Sequence, residues 1–138
     1  MNEAHVDTLM PMRTGEIRIH DAEGFEGMRR AGRLVAECLD MLVPEVQPGV
    51  TTAHLDDLIR EFVFDHKAQS ATIGYRGYRH ASCISLNHVI CHGIPSDRAL
   101  KPGDIANIDV TVIVDGWHGD SSRMYAAGTP KRRATSLM

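Results

Sequence analysis

The chain has 138 residues, 43% hydrophobic and 24% charged, with a formal net charge of -3 at pH 7. That composition fits one globular domain with a usable core and excludes a disordered tail, while the acidic balance and lack of a long basic run leave no electrostatic footprint for nucleic acid. No apolar run approaches the ~18–20 residues of a membrane span, which excludes a membrane protein, and the N-terminus lacks a signal-type apolar core, which points to the cytoplasm.

Residues 1–20 show no sustained period and read as an N-terminal arm, with Ile17 and Ile19 alternating as in a brief strand. Asp21 offers a helix N-cap, and Phe25, Met28, Leu34, Val35, Cys38, Leu39 and Leu42 follow at near-helical spacing. This amphipathic helix should end before Pro44, with its apolar stripe in the core. After the Pro48-Gly49 turn, Thr51 or Thr52 caps a second helix whose Leu55, Leu58, Ile59, Phe62 and Val63 share one side. Asp56, Asp57, Arg60 and Glu61 fall largely opposite and read as a solvated face.

Gly74, Tyr75, Gly77 and Tyr78 break the helical pattern and suggest a loop where glycine permits close approach of another group. Residues 82–92, SCISLNHVICH, read as a hairpin with Asn87-His88 at its tip. In that register Leu86 pairs with Val89, Ile84 with Cys91 and Cys83 with His92, so Cys83 and His92 share a face. Three cysteines, Cys38, Cys83 and Cys91, contain no C-x-x-C pair, which argues against a disulfide framework or zinc ribbon. Lys101-Pro102-Gly103-Asp104 fits a type II turn. Near the end, Thr129-Pro130 reads as a helix start, with Lys131, Arg132 and Arg133 as its solvated first turn.

Residues 108–122, IDVTVIVDGWHGDSS, carry the strongest signal. Two β-prone runs flank Asp115-Gly116, a two-residue hairpin turn by type. With that turn, Val114 faces Trp117, Val112 faces Gly119, Thr111 faces Asp120 and Asp109 faces Ser122. Alternation puts Ile108, Val110, Val112, Val114 and Trp117 on one apolar face, and Asp109, Thr111, His118 and Asp120 on the other. Asp109 and Asp120 become diagonal neighbours with backbones roughly 7–8 Å apart. Like charges so close repel, and two readings remain: a polar face that simply meets water, or a cation site of hard oxygen ligands for magnesium, manganese and similar ions.

Four stretches carry a family resemblance: MRRAGRLVAE (28–37), PGVTTAHLD (48–56), GYRGYRHASCISLNHVICHGIP (74–95) and LKPGDIANIDVTVIVDGWHGDSSRMYAAG (100–128). Together they resemble type I methionine aminopeptidase. The resemblance implies an α+β pita-bread fold, in which two pseudo-symmetric halves enclose a dinuclear metal site. This chain would supply the first half over residues 21–138, an antiparallel sheet with two packed helices. By resemblance, Asp109 and Asp120 bind metal, Asp120 as the bridging carboxylate. His92 is the catalytic histidine that also contacts substrate. Tyr75, Tyr78 and Cys83 wall the pocket for the methionine side chain. Thr72 stands where that pocket often has cysteine.

The implied reaction removes the N-terminal methionine of nascent polypeptides, using two divalent ions drawn from cobalt, manganese, iron, zinc or nickel to activate water. The ribosome is a further candidate partner; nucleic acid and membrane are not. The family's remaining ligands are a histidine and two glutamates, and no histidine or glutamate follows Asp120. The final ATSLM also leaves the family pattern. The expectation is therefore a chain truncated at its C-terminus, inactive by itself, binding metal weakly and prone to self-associate where the complete enzyme is a monomer. The alternatives are a non-catalytic pita-bread binding module or pseudoenzyme remnant, and a related metallohydrolase acting on X-Pro peptides or creatine.

Overall fold

The computed structural model describes Gly15 and residues 17–138, so most of the expected arm over residues 1–20 lies outside the described residues. Ile17 and Ile19 form no strand and are exposed. With no partner strand beside them, alternation alone does not fix them in a sheet.

Helix α1 runs Ala22–Met41, and its N-cap Asp21 accepts a 3.0 Å hydrogen bond from the Gly24 amide. It stops three residues short of Pro44, whose ring disfavours helical backbone at the residue before it. The helix buries Ala31, Leu34, Val35, Cys38 and Leu39, but Phe25 and Met28 are 56% and 48% exposed, against expectation. The reason is the neighbour: over its first two turns α1 meets the sheet through Gly24 and Gly27, and a Cβ at Gly27 would collide with the Trp117 indole. The stripe facing the sheet there is Gly24, Gly27 and Ala31, and a bulky side chain from the strand fills what glycine leaves open.

Helix α2 runs Thr52–Asp65, and Thr51 Oγ1 accepts from the His54 amide at 3.1 Å. Leu55, Ile59 and Val63 are buried as expected. Asp56 is not on a solvated face: it is 1% exposed, with Oδ1 hydrogen-bonded to Ser82 at the start of a strand and Oδ2 to the His80 ring.

The sheet has four antiparallel strands, β1 (Gln69–Ser70), β2 (Ser82–Leu86), β3 (Ile105–Val114) and β4 (Trp117–Ala126). β3 is central. It pairs along its whole length with β4, and on its other edge with β2 (Ser82 opposite Val110, Leu86 opposite Ala106) and then with β1 (Ser70 opposite Val112). Both helices share one core cluster with the sheet, in which Val35, Leu42, Leu55, Ile59, Ile108, Val110 and Val112 have no exposed surface. Each such side chain contributes roughly 1.5–3 kcal/mol by burial.

The expected hairpin at 82–92 does not form. β2 takes β3 as its partner, and the chain turns back at Asn87, whose φ is 54°. It rejoins β2 through two separate backbone bonds, from Val89 N to Leu86 O at the turn, 3.0 Å, and from Ile84 N to Gly93 O, 2.8 Å, without forming a ladder. A ten-residue strand offers β2 a full ladder, whereas the returning segment has a left-handed backbone at His92 and a proline at 95, which cannot donate. The turn at Lys101–Asp104 forms as expected, with Gly103 at φ 91°. The last helix, α3 (Arg132–Thr135), starts later than Thr129-Pro130 suggested: Lys131 is its N-cap residue and makes no side-chain cap. Among the described residues, no helix is long and apolar enough to cross a membrane.

Candidate active site

The polar face of the β3–β4 hairpin is the floor of the site. Its turn has Asp115 at φ 49° and Gly116 at φ 82°, the paired positive values of a type I′ turn whose twist matches that of the strands. Thr111 lies opposite Asp120 and Asp109 opposite Ser122, as the alternation requires. Thr111 Oγ1 donates to Asp120 Oδ1 at 2.8 Å, fixing one carboxylate. Asp109 is half-buried, and its carboxyl is raised above the ordinary range by burial first and by the Asp120 charge second; the nearby His92 works in the opposite direction. Those three groups therefore feel one another across the hairpin face.

Beside this floor opens a cavity of about 700 Å³ lined by Thr72, Tyr75, Tyr78, Cys83, His92, Thr111 and His118, among others. The three residues expected to wall a pocket, Tyr75, Tyr78 and Cys83, are thus brought together with His92, although Cys83 and His92 do not meet by pairing with each other. His92 has φ 55°, an uncommon conformation for a residue with a Cβ that is concentrated at functional sites. It is held by its neighbour: Gly93 N donates to Ser85 Oγ at 3.0 Å, and a Cβ at Gly93 would run into the Ile84 carbonyl. Cys83 and His92 therefore reach one cavity without facing each other in a hairpin.

Tyr75 opens a short 3-10 turn, Tyr75–Gly77, and Tyr78 follows it, with Gly74, Arg76 and Gly77 all left-handed. Tyr78 OH donates to Ser82 O at 2.8 Å and lies 3.6 Å from Cys83 Sγ. Burial and the Cys83 contact push its phenol well above the usual range, so it stays protonated at neutral pH. Thr72 Oγ1 donates to His80 O at 2.7 Å, so the hydroxyl at this position is committed to the backbone. His118, on the hairpin's polar face, also lines the cavity.

The donor chemistry fits part of a divalent-cation site. Asp109 and Asp120 offer hard carboxylate oxygens of the kind divalent ions take, and burial followed by the Asp120 charge raises the Asp109 carboxyl. Among the described residues, no third histidine, cysteine, aspartate or glutamate joins them in a group able to hold an ion.

Residues 26–138 match the profile of metallopeptidase family M24. The chain belongs to that family. It is 53% identical over 116 residues to a methionine aminopeptidase of Escherichia coli strain K12, a match covering 83% of this chain and 44% of that protein. The crystal structure of methionine aminopeptidase from Rickettsia prowazekii superposes with a TM-score of 0.87 at 50% identity, over 88% of this chain and 49% of that one. An X-Pro aminopeptidase from Thermotoga maritima superposes with a TM-score of 0.72 at 16% identity, over 86% of this chain and 32% of that one, and shows the fold alone. The fold of this M24 chain is thus the pita-bread α+β fold with an antiparallel sheet, and membership of a metallopeptidase family implies use of divalent metal. The M24 chain spans about half the length of the curated relatives it matches.

Asp56 is the residue that helical periodicity misplaced. A carboxylate on the flank of an apolar stripe reads as solvated unless its partner is known, and that partner, Ser82, lies 26 residues away. The one available signal was an aspartate in the family-like PGVTTAHLD stretch.

Proposed function

We propose that residues 21–138 are the first half of a two-half methionyl aminopeptidase domain, and that this half supplies the methionine pocket and two metal ligands for removing the N-terminal methionine of nascent proteins. The observation that carries this is the convergence of Tyr75, Tyr78, Cys83 and His92 on one cavity beside the Asp109–Asp120 face. Tyrosine and cysteine walls give a sulfur-tolerant, largely apolar receptacle suited to a flexible thioether. Asp109 and Asp120 would hold divalent ions, with Asp120 steadied by Thr111. When bound, such ions supply Lewis-acid polarisation of a carbonyl and acidify water. His92, which lines the cavity and is held by Gly93, would hydrogen-bond the substrate amide next to the scissile bond and stabilise charge developing on its oxygen.

Methionine is preferred over an X-Pro dipeptide because sequence identity is concentrated with methionine aminopeptidases, at 53%, against 16% for the X-Pro enzyme. Nascent chains as substrate make the cytoplasm the setting and the ribosome a neighbour. The 138 residues by themselves bring two carboxylates to the metals, so they bind manganese or cobalt weakly and turn over no Met-Ala-Ser peptide. The outer edge of β4, which among the described residues pairs only with β3, favours their self-association.

NMR on the 138-residue chain tests this reading. Substoichiometric Mn²⁺ should broaden the Asp109 and Asp120 amides first, and Met-Ala-Ser should shift Tyr75, Tyr78 and Cys83 while Ala-Pro leaves them in place. Broadening centred elsewhere, or equal shifts with both peptides, would overturn it.

A further inference from the structure

We propose that Asp56, a buried carboxylate on α2 outside the metal and substrate contacts, is the positioning residue that sets the shape of the pocket. The inference rests on the methionine-pocket reading for what the pocket holds, but not for how its wall is built. Asp56 Oδ1 accepts from Ser82 N at 2.9 Å and from Ser82 Oγ at 2.7 Å. Asp56 Oδ2 lies 3.1 Å from His80 Nδ1 and 3.7 Å from Arg60 Nη2. Two of these partners, His80 and Ser82, lead to the wall. The His80 ring packs edge-on against Tyr78 with centroids 5.5 Å apart, and the His80 carbonyl accepts from Thr72. The Ser82 carbonyl accepts from Tyr78 OH, and Cys83 is the next residue along. Asp56, Ser82, Tyr78 and His80 thus close a ring of contacts, with three cavity-lining side chains on its rim.

A carboxylate is an expensive choice for this place. Desolvating it opposes burial, and an apolar residue of similar volume in such a position is often as stabilising. A second-turn helix residue facing the sheet could have been alanine or leucine for packing alone. The carboxylate does what an apolar side chain does not: it grips the main chain at the entry to β2 and the ring of His80 at once. The wall has no ladder of its own over residues 71–81 to do this.

The test uses the reactivity of the protein's three free thiols, alkylated by iodoacetamide with and without L-methioninamide and mapped by mass spectrometry. Cys83 reports the wall, buried Cys38 reports the global fold, and exposed Cys91 gives the unhindered rate. In Asp56→Asn the Cys83 rate relative to Cys91 should rise about tenfold, the equivalent of one charge-assisted hydrogen bond, while Cys38 stays protected. Shielding of Cys83 by methioninamide should weaken by a similar factor. His80→Gln, at the partly exposed end of the ring of contacts, should move both readouts in the same direction by about threefold, and Asp57→Asn should move neither. Unchanged Cys83 kinetics in Asp56→Asn with Cys38 still protected would overturn the proposal. If Asp56→Asn also exposes Cys38, His80→Gln decides: a wild-type Cys83 rate there overturns it, and a raised rate supports it. Wild-type Cys83 that methioninamide never shields would sink the methionine reading, while the alkylation rates alone would still decide the role of Asp56.

Discussion

The hairpin of residues 105–126 and the stretch of residues 66–93 form two sides of the same cavity, but different forces hold them. Along the hairpin, every residue from Ile105 to Val114 has a cross-strand partner in β4. In the other stretch the backbone turns left-handed at Lys67, Gly74, Arg76, Gly77, Asn87 and His92, and many of its ties join a side chain to backbone: the Thr72 hydroxyl donates to His80 O, the Tyr78 hydroxyl to Ser82 O, and the Gly93 amide to Ser85 Oγ. The carboxylates proposed as metal ligands stand on a ladder and are placed by register, which a local change does not adjust without breaking the sheet. Cys83 shares that regularity, since it pairs with Asp109 in β2, but Tyr75, Tyr78 and His92 lie on irregular backbone and are placed by individual polar contacts, which one substitution can release.

The largest expected effect is on the ladder side. Gly119 lies opposite Val112, and a Cβ there would collide with the Ala31 backbone of α1. Neither the helix backbone nor the strand yields easily, so Gly119→Ala should destabilise the whole fold by about 3 kcal/mol, the upper part of the overpacking range. Urea unfolding followed by Trp117 fluorescence reads this directly. A loss below about 0.5 kcal/mol, the level of an ordinary surface change, would mean the ladder is more compliant than its regularity implies.

Gly93 is the matching probe on the irregular side, since a Cβ there would meet the Ile84 carbonyl. Gly93→Ala should cost about 1–2 kcal/mol locally, by unseating the segment that carries His92. The expected signature is a more than about tenfold faster amide exchange at Ile84, whose N–H loses its bond to Gly93 O, with the α1 amides unchanged. Equal acceleration in both regions would erase the distinction drawn between the two walls.

The same division explains what could be read from the residues alone. The hairpin turn, its register and the diagonal aspartates follow from Asp115-Gly116 and a period of two, which are local properties. Both major helices follow from caps at Asp21 and Thr51 and a 3.6-residue period. The errors lie where a distant partner outvotes the local pattern. Phe25 and Met28 lost the core to Trp117, 92 and 89 positions further on. Asp56 was drawn inward by Ser82, and β2 took β3 instead of its neighbour in sequence. The two-residue strand β1 had no periodic signal to find, because it exists only as an extension along β3. Tyr75, Tyr78, Cys83 and His92 were legible as pocket residues through family likeness, since no local rule brings that set together.

The smallest expected effect is the sharpest test of the ladder, because it asks whether register stores repulsion. Burial and then the charge of Asp120 raise the Asp109 carboxyl above its ordinary value of 3.8, with His92 opposing. The folded chain therefore holds this proton more tightly than the unfolded chain. The corresponding stability is present below the ordinary carboxylate range and is lost as pH rises through the folded value. At neutral pH in a chelator, the Asp120 charge works against Asp109, a strain that Asp109→Asn should relieve. Asp109 is half-exposed, so solvent screening reduces the gain to about 0.5 kcal/mol, within the range for like charges across strands. The gain should shrink as the pH is lowered through the carboxylate range. Adding Mn²⁺ should reverse the order, because an ion that binds the native wild-type pair stabilises it by mass action and finds a poorer site in Asp109→Asn. A variant less stable than wild type at pH 7 in chelator would show that the diagonal carboxylates do not repel, and with that the reason for expecting a cation between them would go.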